Sequence, residues 1–233
     1  MADESVSIVV PAWNEENTIG ATLEALHRIR GKTSHPLWSE LIVVDDGSTD
    51  LTAERASRWA TVVIEHERRL GKGAAMRSGW MRAKGDIVLF ADADLEHSAE
   101  HLAGLLEPVR RGEADMAVAR FEQPSARGGF GLAKRFAGNG IYRMTGLRFE
   151  APLSGQRAVR SELLRKMRHV PVGFGIEVGL TIDAARLGYR ICEVPLPLCH
   201  REMGKSLSGF WHRGGQMVAI AQTMLRRWSR SAP

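Results

Sequence analysis

Ile87-Val88-Leu89-Phe90-Ala91-Asp92-Ala93-Asp94-Leu95 joins a short apolar run directly to two carboxylates. The branched residues of Ile87 to Phe90 read as a buried strand. Residues i and i+2 of an extended segment point the same way, so Asp92 and Asp94 can face one site at the strand's carboxyl end. Two negative charges crowded there cost energy unless a cation joins them, and hard oxygen ligands suit Mg²⁺ or Mn²⁺. A solvated acidic turn is the alternative reading of the same residues. The surrounding motifs weigh toward the first.

Upstream, Ser5 to Val10 predicts a first strand, left through the turn Pro11-Ala12-Trp13-Asn14-Glu15-Glu16-Asn17. Thr18 to Arg30 repeats Ile19, Leu23, Leu26 and Ile29 at helical spacing. Leu41 to Val44 predicts a second strand ending in Asp45-Asp46-Gly47-Ser48-Thr49-Asp50. The helix from Leu51 to Trp59 is expected to be capped by Ser48, Thr49 or Asp50. Val62 to Ile64 reads as a third strand, and Gly71-Lys72-Gly73 opens a helix reaching Ala83. Strands separated by helices argue for a parallel sheet with right-handed crossovers. Such open sheets bind ligands beyond the carboxyl ends of their strands. Asn14, Asp45/Asp46, Lys72 and Asp92/Asp94 all fall at those ends or on the loops leaving them, which argues for a single site.

Downstream, Glu100 to Arg111 predicts an amphipathic helix and Asp115 to Ala119 another strand. Phe121 to Gly131, rich in Gly, Ser and Pro, is expected to be a mobile loop. Helices are predicted over Leu132 to Met144 and Ser161 to Met167, with Leu153-Ser154-Gly155-Gln156-Arg157-Ala158 between them. A further helix begins at Gly173-Phe174-Gly175-Ile176-Glu177, runs to Leu187 and is ended by Gly188. Ile191 to Val194 is a strand whose continuation Pro195 and Pro197 hold at a sheet edge. The tail from Leu207 to Arg230 interleaves Phe210, Trp211, Met217, Val218, Ile220, Met224, Leu225 and Trp228 with Arg213, Arg226, Arg227 and Arg230. That composition suits an interfacial helix against anionic lipid, packing back onto the sheet, or a homodimer contact.

A chain of 233 residues can bury a full core as one domain with a terminal extension. Nothing resembles an uninterrupted apolar run of about 18 residues or a signal peptide, so a cytoplasmic protein is expected. The tail adds the option of peripheral attachment to the inner face of a membrane. Cys192 and Cys199, the two cysteines, read as small buried hydrophobes rather than a disulfide framework. The formal net charge of +5 favours anionic partners. Nucleic acid is not expected among them: no recognition module is recognisable, and the acidic clusters would repel phosphates.

Together, Pro11-Ala12-Trp13-Asn14-Glu15-Glu16, Val43-Val44-Asp45-Asp46-Gly47-Ser48-Thr49-Asp50, Gly71-Lys72-Gly73-Ala74-Ala75-Met76-Arg77 and Ala91-Asp92-Ala93-Asp94-Leu95 resemble the signatures of the family-2 glycosyltransferases with the GT-A fold. The third and fourth are particularly similar to polyprenyl- or dolichyl-phosphate glucosyltransferases. Pro152-Leu153-Ser154-Gly155-Gln156 carries Ala151 where those enzymes have an aspartate. With Gly173 to Leu180, that segment looks more like glucosyl-3-phosphoglycerate synthases. His200-Arg201-Glu202-Met203-Gly204-Lys205-Ser206 returns to the lipid-phosphate pattern.

The resemblance implies a mostly parallel central sheet flanked by helices. A Rossmann-like nucleotide-sugar half would span residues 1–119 and an acceptor half 120–206, followed by a basic amphipathic extension over 207–233. It implies an inverting, metal-dependent transfer of a hexose, glucose first, from a UDP-sugar to a phosphate-bearing acceptor. Polyprenyl phosphate leads over 3-phosphoglycerate. The nucleotide-sugar contacts would be Pro11, Ala12, Asn14, Glu15, Asp45, Asp46, Lys72, Asp92 and Ala93. Asp92, Asp94 and His200 would hold the metal, and Glu177 and Asp94 would be catalytic. Ser154, Gly155, Gln156, Arg157, Arg201, Lys205 and Ser206 would meet the acceptor. Plain structural readings stand beside these: turn and cap residues at Asp45/Asp46, a solvated lysine at 72, a first-turn helix acid at Glu15 and Glu177, and an ion-pair partner at Arg157. A catalytically silent sugar-nucleotide-binding protein is the alternative from another class.

Overall fold

The computed structural model describes residues 4–31, 36–122, 130–167, 175–199 and 207–228. Seven strands form one sheet in the order β3-β2-β1-β4-β6-β5-β7: β1 (Val6–Ala12), β2 (Glu40–Asp45), β3 (Val62–Glu65), β4 (Ile87–Phe90), β5 (Met116–Phe121), β6 (Arg157–Arg160) and β7 (Ile191–Leu196). β3, β2, β1 and β4 are parallel neighbours, joined by α1 (Ile19–Arg30), α2 (Thr52–Ser57) and α3 (Lys72–Arg82). The pleat sends alternate side chains to opposite faces. Val6, Ile8 and Val10 pack toward α1, whereas Val9, Ile42, Val44, Val88 and Phe90 pack toward α3 with Met76 and Trp80. Both faces are covered, as a parallel sheet requires.

β6 runs antiparallel between β4 and β5 and had no counterpart among the expected strands. Its four residues, Arg-Ala-Val-Arg, are too short and too charged to stand out by hydrophobic pattern. Tertiary pairing makes the strand, through Leu89↔Ala158 on one side and Ala117↔Ala158 on the other. A second departure concerns the segment expected as a plain helix from Glu100. It is a 3₁₀ helix over Glu96–Leu105, followed by the short α4 (Leu106–Arg110). The α2 cap also differs. Leu51 occupies the N-cap, and Asp50 Oδ1 accepts the Thr52 N–H at 3.1 Å. β7 is an edge strand with Pro195 inside it, where a missing N–H is tolerated.

The remaining helices are α5 (Phe130–Thr145), α6 (Ser161–Lys166), α7 (Ile176–Arg186) and α8 (Leu207–Trp228). α6 and α7 back the α3 face of the sheet through Leu163, Leu164, Ile176 and Leu180. The other side of α7 meets α5 and α8 in a separate cluster of Ala137, Ile141, Val178, Ile182, Ile220 and Met224. Gly140 lets α8 approach closely, since a β-carbon there would stand 2.2 Å from the end of Met224. Arg227 ties α8 to α7 by a two-pronged ion pair with Asp183, Nε to Oδ1 at 2.7 Å and Nη2 to Oδ2. The terminal helix thus packs back onto the domain along one side. Val218, Leu225 and Trp228 remain exposed on another. Among the described residues no helix is long and apolar enough to cross a membrane.

Candidate functional site

At the carboxyl end of β4, Asp92 has both oxygens engaged. Lys72 Nζ approaches Oδ1 to 2.8 Å, and Gln156 Nε2 donates to Oδ2 at 2.6 Å. Lys72 also reaches Glu177 Oε1 at 3.1 Å. One ammonium therefore bridges a β4 carboxylate and a carboxylate in the first turn of α7. Burial pulls the Lys72 pKa down, but Asp92 and Glu177 overcome it and hold it above the ordinary lysine range, so the side chain stays charged. Gly155 closes over the pair: a β-carbon there would lie 2.6 Å from Lys72 Nζ and 3.0 Å from each Asp92 oxygen. Five of the expected residues, Lys72, Asp92, Gly155, Gln156 and Glu177, come together from four separate segments.

Gln156 is in turn oriented by Ser154, whose hydroxyl donates to Oε1 at 3.2 Å. Arg157 is fully buried and directed elsewhere. Its Nε donates to the Ser154 carbonyl at 2.8 Å and its Nη1 to Thr181 Oγ1 at 2.8 Å. Thr181 donates to the Glu177 carbonyl at 3.0 Å. Burial, only partly offset by Glu177 and Glu193, pushes the guanidinium down to about 10. Its side chain holds the 152–154 turn against α7 rather than lining the surface.

The opening turn lies on the other side of Asp92. Ala12 pairs with Asp45 across β1 and β2, directly after Pro11↔Val44. Asn14 adopts φ +53°, accepts the Thr49 N–H at 2.9 Å on its side-chain oxygen and donates its own backbone N–H to Ser48 Oγ at 2.9 Å. Glu15 accepts the Thr18 hydroxyl at 2.6 Å. Burial raises the Glu15 pKa against that bond, and Asp94, Asp92 and Asp50 raise it further. The negative charge of the Asp-x-Asp pair is therefore felt at Glu15. The turn after Ala93 is pinned to α1 through Thr22, whose hydroxyl donates to the Ala93 carbonyl and accepts the Glu96 N–H, each at 2.8 Å.

Asp45 and Asp46 separate in role. Asp45 Oδ1 accepts the Ser48 N–H at 3.2 Å and the Ser48 hydroxyl. Asp46 is buried and accepts the backbone N–H groups of Leu70 at 2.9 Å and Gly71 at 2.7 Å, with His66 Nδ1 at 2.8 Å. His66 and Thr181 were not anticipated. A lone histidine after a strand carries no local pattern, and a mid-helix threonine none at all. His200, Arg201, Lys205 and Ser206 lie outside the described residues, as does most of the loop expected after Phe121. Among the described residues no group of three His, Cys, Asp or Glu side chains forms a metal cage. The oxygen donors that suit Mg²⁺ or Mn²⁺ are Asp92 and Asp94.

A family model described as glycosyl transferase family 2 matches residues 7–166. An undecaprenyl-phosphate mannosyltransferase of Micrococcus luteus is 32% identical over 243 residues, covering 97% of this chain and 95% of that protein. A glucosyl-3-phosphoglycerate synthase of Mycolicibacterium paratuberculosis is 33% identical over 209 residues, covering 80% of this chain and 62% of that protein. The solved glucosyl-3-phosphoglycerate synthase of Mycobacterium tuberculosis with Mn²⁺, UDP and phosphoglyceric acid superposes at a TM-score of 0.79 and 29% identity, covering 99% of this chain and 80% of that one. Its complex with Mn²⁺, UDP-glucose and phosphoglyceric acid gives 0.80 at 30% identity, covering 97% and 80%. The matched residues take in β2, β3, β4, all of β1 but Val6, and the Lys72–Asp92 pair. On sequence and fold alike, this chain belongs to glycosyl transferase family 2 and is a glycosyltransferase of GT-A architecture.

Proposed function

We propose that this enzyme transfers a hexose from a UDP-sugar to a phosphate-bearing acceptor by a single inverting displacement, and that the acceptor is a polyprenyl phosphate. The observation that carries the donor half is Lys72, a cation held between Asp92 and Glu177 under the bare backbone of Gly155. A diphosphate needs such a fixed positive charge and close backbone approach. The donor set also fits a divalent cation. Burial, then Asp94, Asp92 and Asp50, raises the Glu15 pKa, so carboxylates crowd these strand ends where a cation would join them. Asp94 with Asp92 would hold the ion. Lewis-acid stabilisation of the leaving nucleoside diphosphate is what it supplies when bound.

The chain's own residues do the rest. Asp45 or Asp46, side by side where β2 ends, accepts the base imide. Gln156 orients Asp92, and Lys72 balances the diphosphate charge. Glu177 fixes Lys72 on the acceptor side. With a phosphate acceptor the nucleophile is already anionic, so no general base is required and Glu177 serves by position.

Two observations support the lipid acceptor. The Micrococcus relative named for undecaprenyl phosphate matches 97% of this chain, whereas the named phosphoglycerate enzyme matches 80% of it. The α8 surface with Val218, Leu225 and Trp228 beside Arg226 also suits the anionic inner face of a membrane. A soluble phosphoglycerate acceptor is the second reading, favoured by the solved neighbours that hold that compound. Residues 207–233 would then act as part of the domain, not as a separate anchor. The test offers labelled UDP-glucose, or a nucleoside-diphosphate mannose, with Mn²⁺ and each acceptor. Label entering the organic phase from the UDP-sugar is the expected result. Label in phosphoglycerate supports the second reading, label from mannose alone reassigns the donor, and transfer to neither acceptor defeats both.

A further inference from the structure

We propose that Asp46 and His66 form a clasp that positions Lys72, the cation of the donor site. The inference rests on the donor-site reading above and adds two positioning residues to it. Asp46 stands at the end of β2, 3% exposed, with Oδ1 accepting the Leu70 N–H and Oδ2 the Gly71 N–H. The next residue is Lys72, the first of α3. An ionised carboxylate only accepts hydrogen bonds, so the His66 Nδ1 that lies 2.8 Å from Oδ1 carries the hydrogen. The opposite ring nitrogen, Nε2, lies 2.9 Å from the hydroxyl of Ser78, on α3 itself. The histidine therefore links the β2 carboxylate to the body of α3, while the carboxylate grips the two amides before its first turn.

Two further contacts and one backbone bend hold the same segment. Gly47 has φ +70°, and a β-carbon there would stand 2.6 Å from the Arg68 carbonyl carbon and 2.7 Å from the Arg69 nitrogen. The Arg69 guanidinium lies 3.5 Å from the centre of the Trp13 ring, joining the segment to the opening turn. Gly71, at φ +96°, makes the bend into α3 that a side chain would resist. Asp92 and Glu177 are set by β4 and α7, so the ammonium can bridge them only if the first turn of α3 is correctly placed. The clasp sets that placement.

Asparagine and glutamine at position 66 separate this role from space filling, because their amide nitrogens overlie Nδ1 and Nε2 of histidine respectively. H66N keeps the donor to Asp46, whereas H66Q keeps only the contact to Ser78. D46N turns an N–H toward backbone donors. Protection of Lys72 from an amine-acylating reagent, read by mass spectrometry without any nucleotide, reports the clasp directly. UDP titration with Mn²⁺ and the split between kcat and KM report its consequence. Wild type and H66N should protect Lys72 and bind UDP alike. H66Q and D46N should expose it and weaken UDP binding roughly tenfold, with melting temperatures checked for each. Equal protection in H66N and H66Q, or protection retained in D46N, overturns the clasp. Absence of metal-dependent UDP binding in the wild type, with Lys72 protected there and exposed in H66Q and D46N, overturns the donor reading and leaves the clasp standing.

Discussion

Gly155 presents its backbone to Lys72 so closely that a β-carbon would come within 2.6 Å of Nζ. The atom it would meet is the mobile end of a long side chain, so G155A should fold. Its expense should fall on the site, where Nζ must leave the Asp92–Glu177 bridge. We expect transfer to fall roughly 10- to 100-fold with a stability change under about 1 kcal/mol. Steady-state kinetics beside urea unfolding check both halves.

The acidic pair gives the most direct test. Replacing Asp92 and Asp94 together by alanine should lower transfer on the order of 10²- to 10³-fold and abolish Mn²⁺-dependent UDP binding. K72M should weaken UDP binding without removing the metal dependence. Calorimetry with and without Mn²⁺ distinguishes the two variants. Unchanged turnover in the double variant would leave the donor assignment without a basis.

Glu15 supplies a pH dependence with a definite sign. Its folded pKa lies above the unfolded value, because burial and then Asp94, Asp92 and Asp50 disfavour the charge. Its contribution to stability is therefore full below the unfolded pKa and is lost as pH rises through the raised folded value. E15Q removes that loss. Its melting temperature should exceed the wild type by an increasing margin from about pH 4 toward neutrality, and saturating Mn²⁺ should narrow the margin. A margin independent of pH would contradict the crowding of carboxylates at this strand end.

Arg157 is a buried cation whose hydrogen bonds go to carbonyls, a hydroxyl and the Met116 sulfur; among the described residues no carboxylate lies within ion-pair distance. R157A leaves those acceptors unsatisfied and opens a cavity, at roughly 3 kcal/mol or more. R157K cannot span the Ser154 carbonyl and Thr181 at once and should recover part of that loss. Chemical denaturation measures the series. Equal stability of all three proteins would remove Arg157 from the 152–154 turn.

Leu225 and Trp228 test the exposed side of α8. Aspartate at both positions should reduce co-sedimentation with anionic vesicles while UDP binding persists, because the buried side of α8 keeps Ile220, Met224 and the Arg227–Asp183 pair. A fall in sedimenting mass without a change in vesicle binding would assign this surface to a second copy of the chain.

Much of the nucleotide half was legible residue by residue. Ile87 to Phe90 is a continuous apolar run because β4 is buried on both faces, and the adjacent Asp92-Ala93-Asp94 could only fall at its carboxyl end. Lys72 between two glycines and the Asp45-Asp46-Gly47 turn were equally visible, since local strand and turn chemistry is written in neighbouring residues. The sequence by itself therefore determined the parallel half of the sheet and which loops lead to the site. It did not determine which partner each side chain takes. β6 exists because β4 and β5 offer it unpaired edges, not because Arg157 to Arg160 favour a strand. Asp46 and Asp45 are identical neighbours in the chain, yet one grips the Leu70 and Gly71 amides and the other meets Ser48. Arg157, expected as an acceptor contact or an ion-pair partner, is buried with its donors on the Ser154 carbonyl and the Thr181 hydroxyl. Hydrogen bonds between residues far apart in sequence have no local signature, so only the folded chain assigned them.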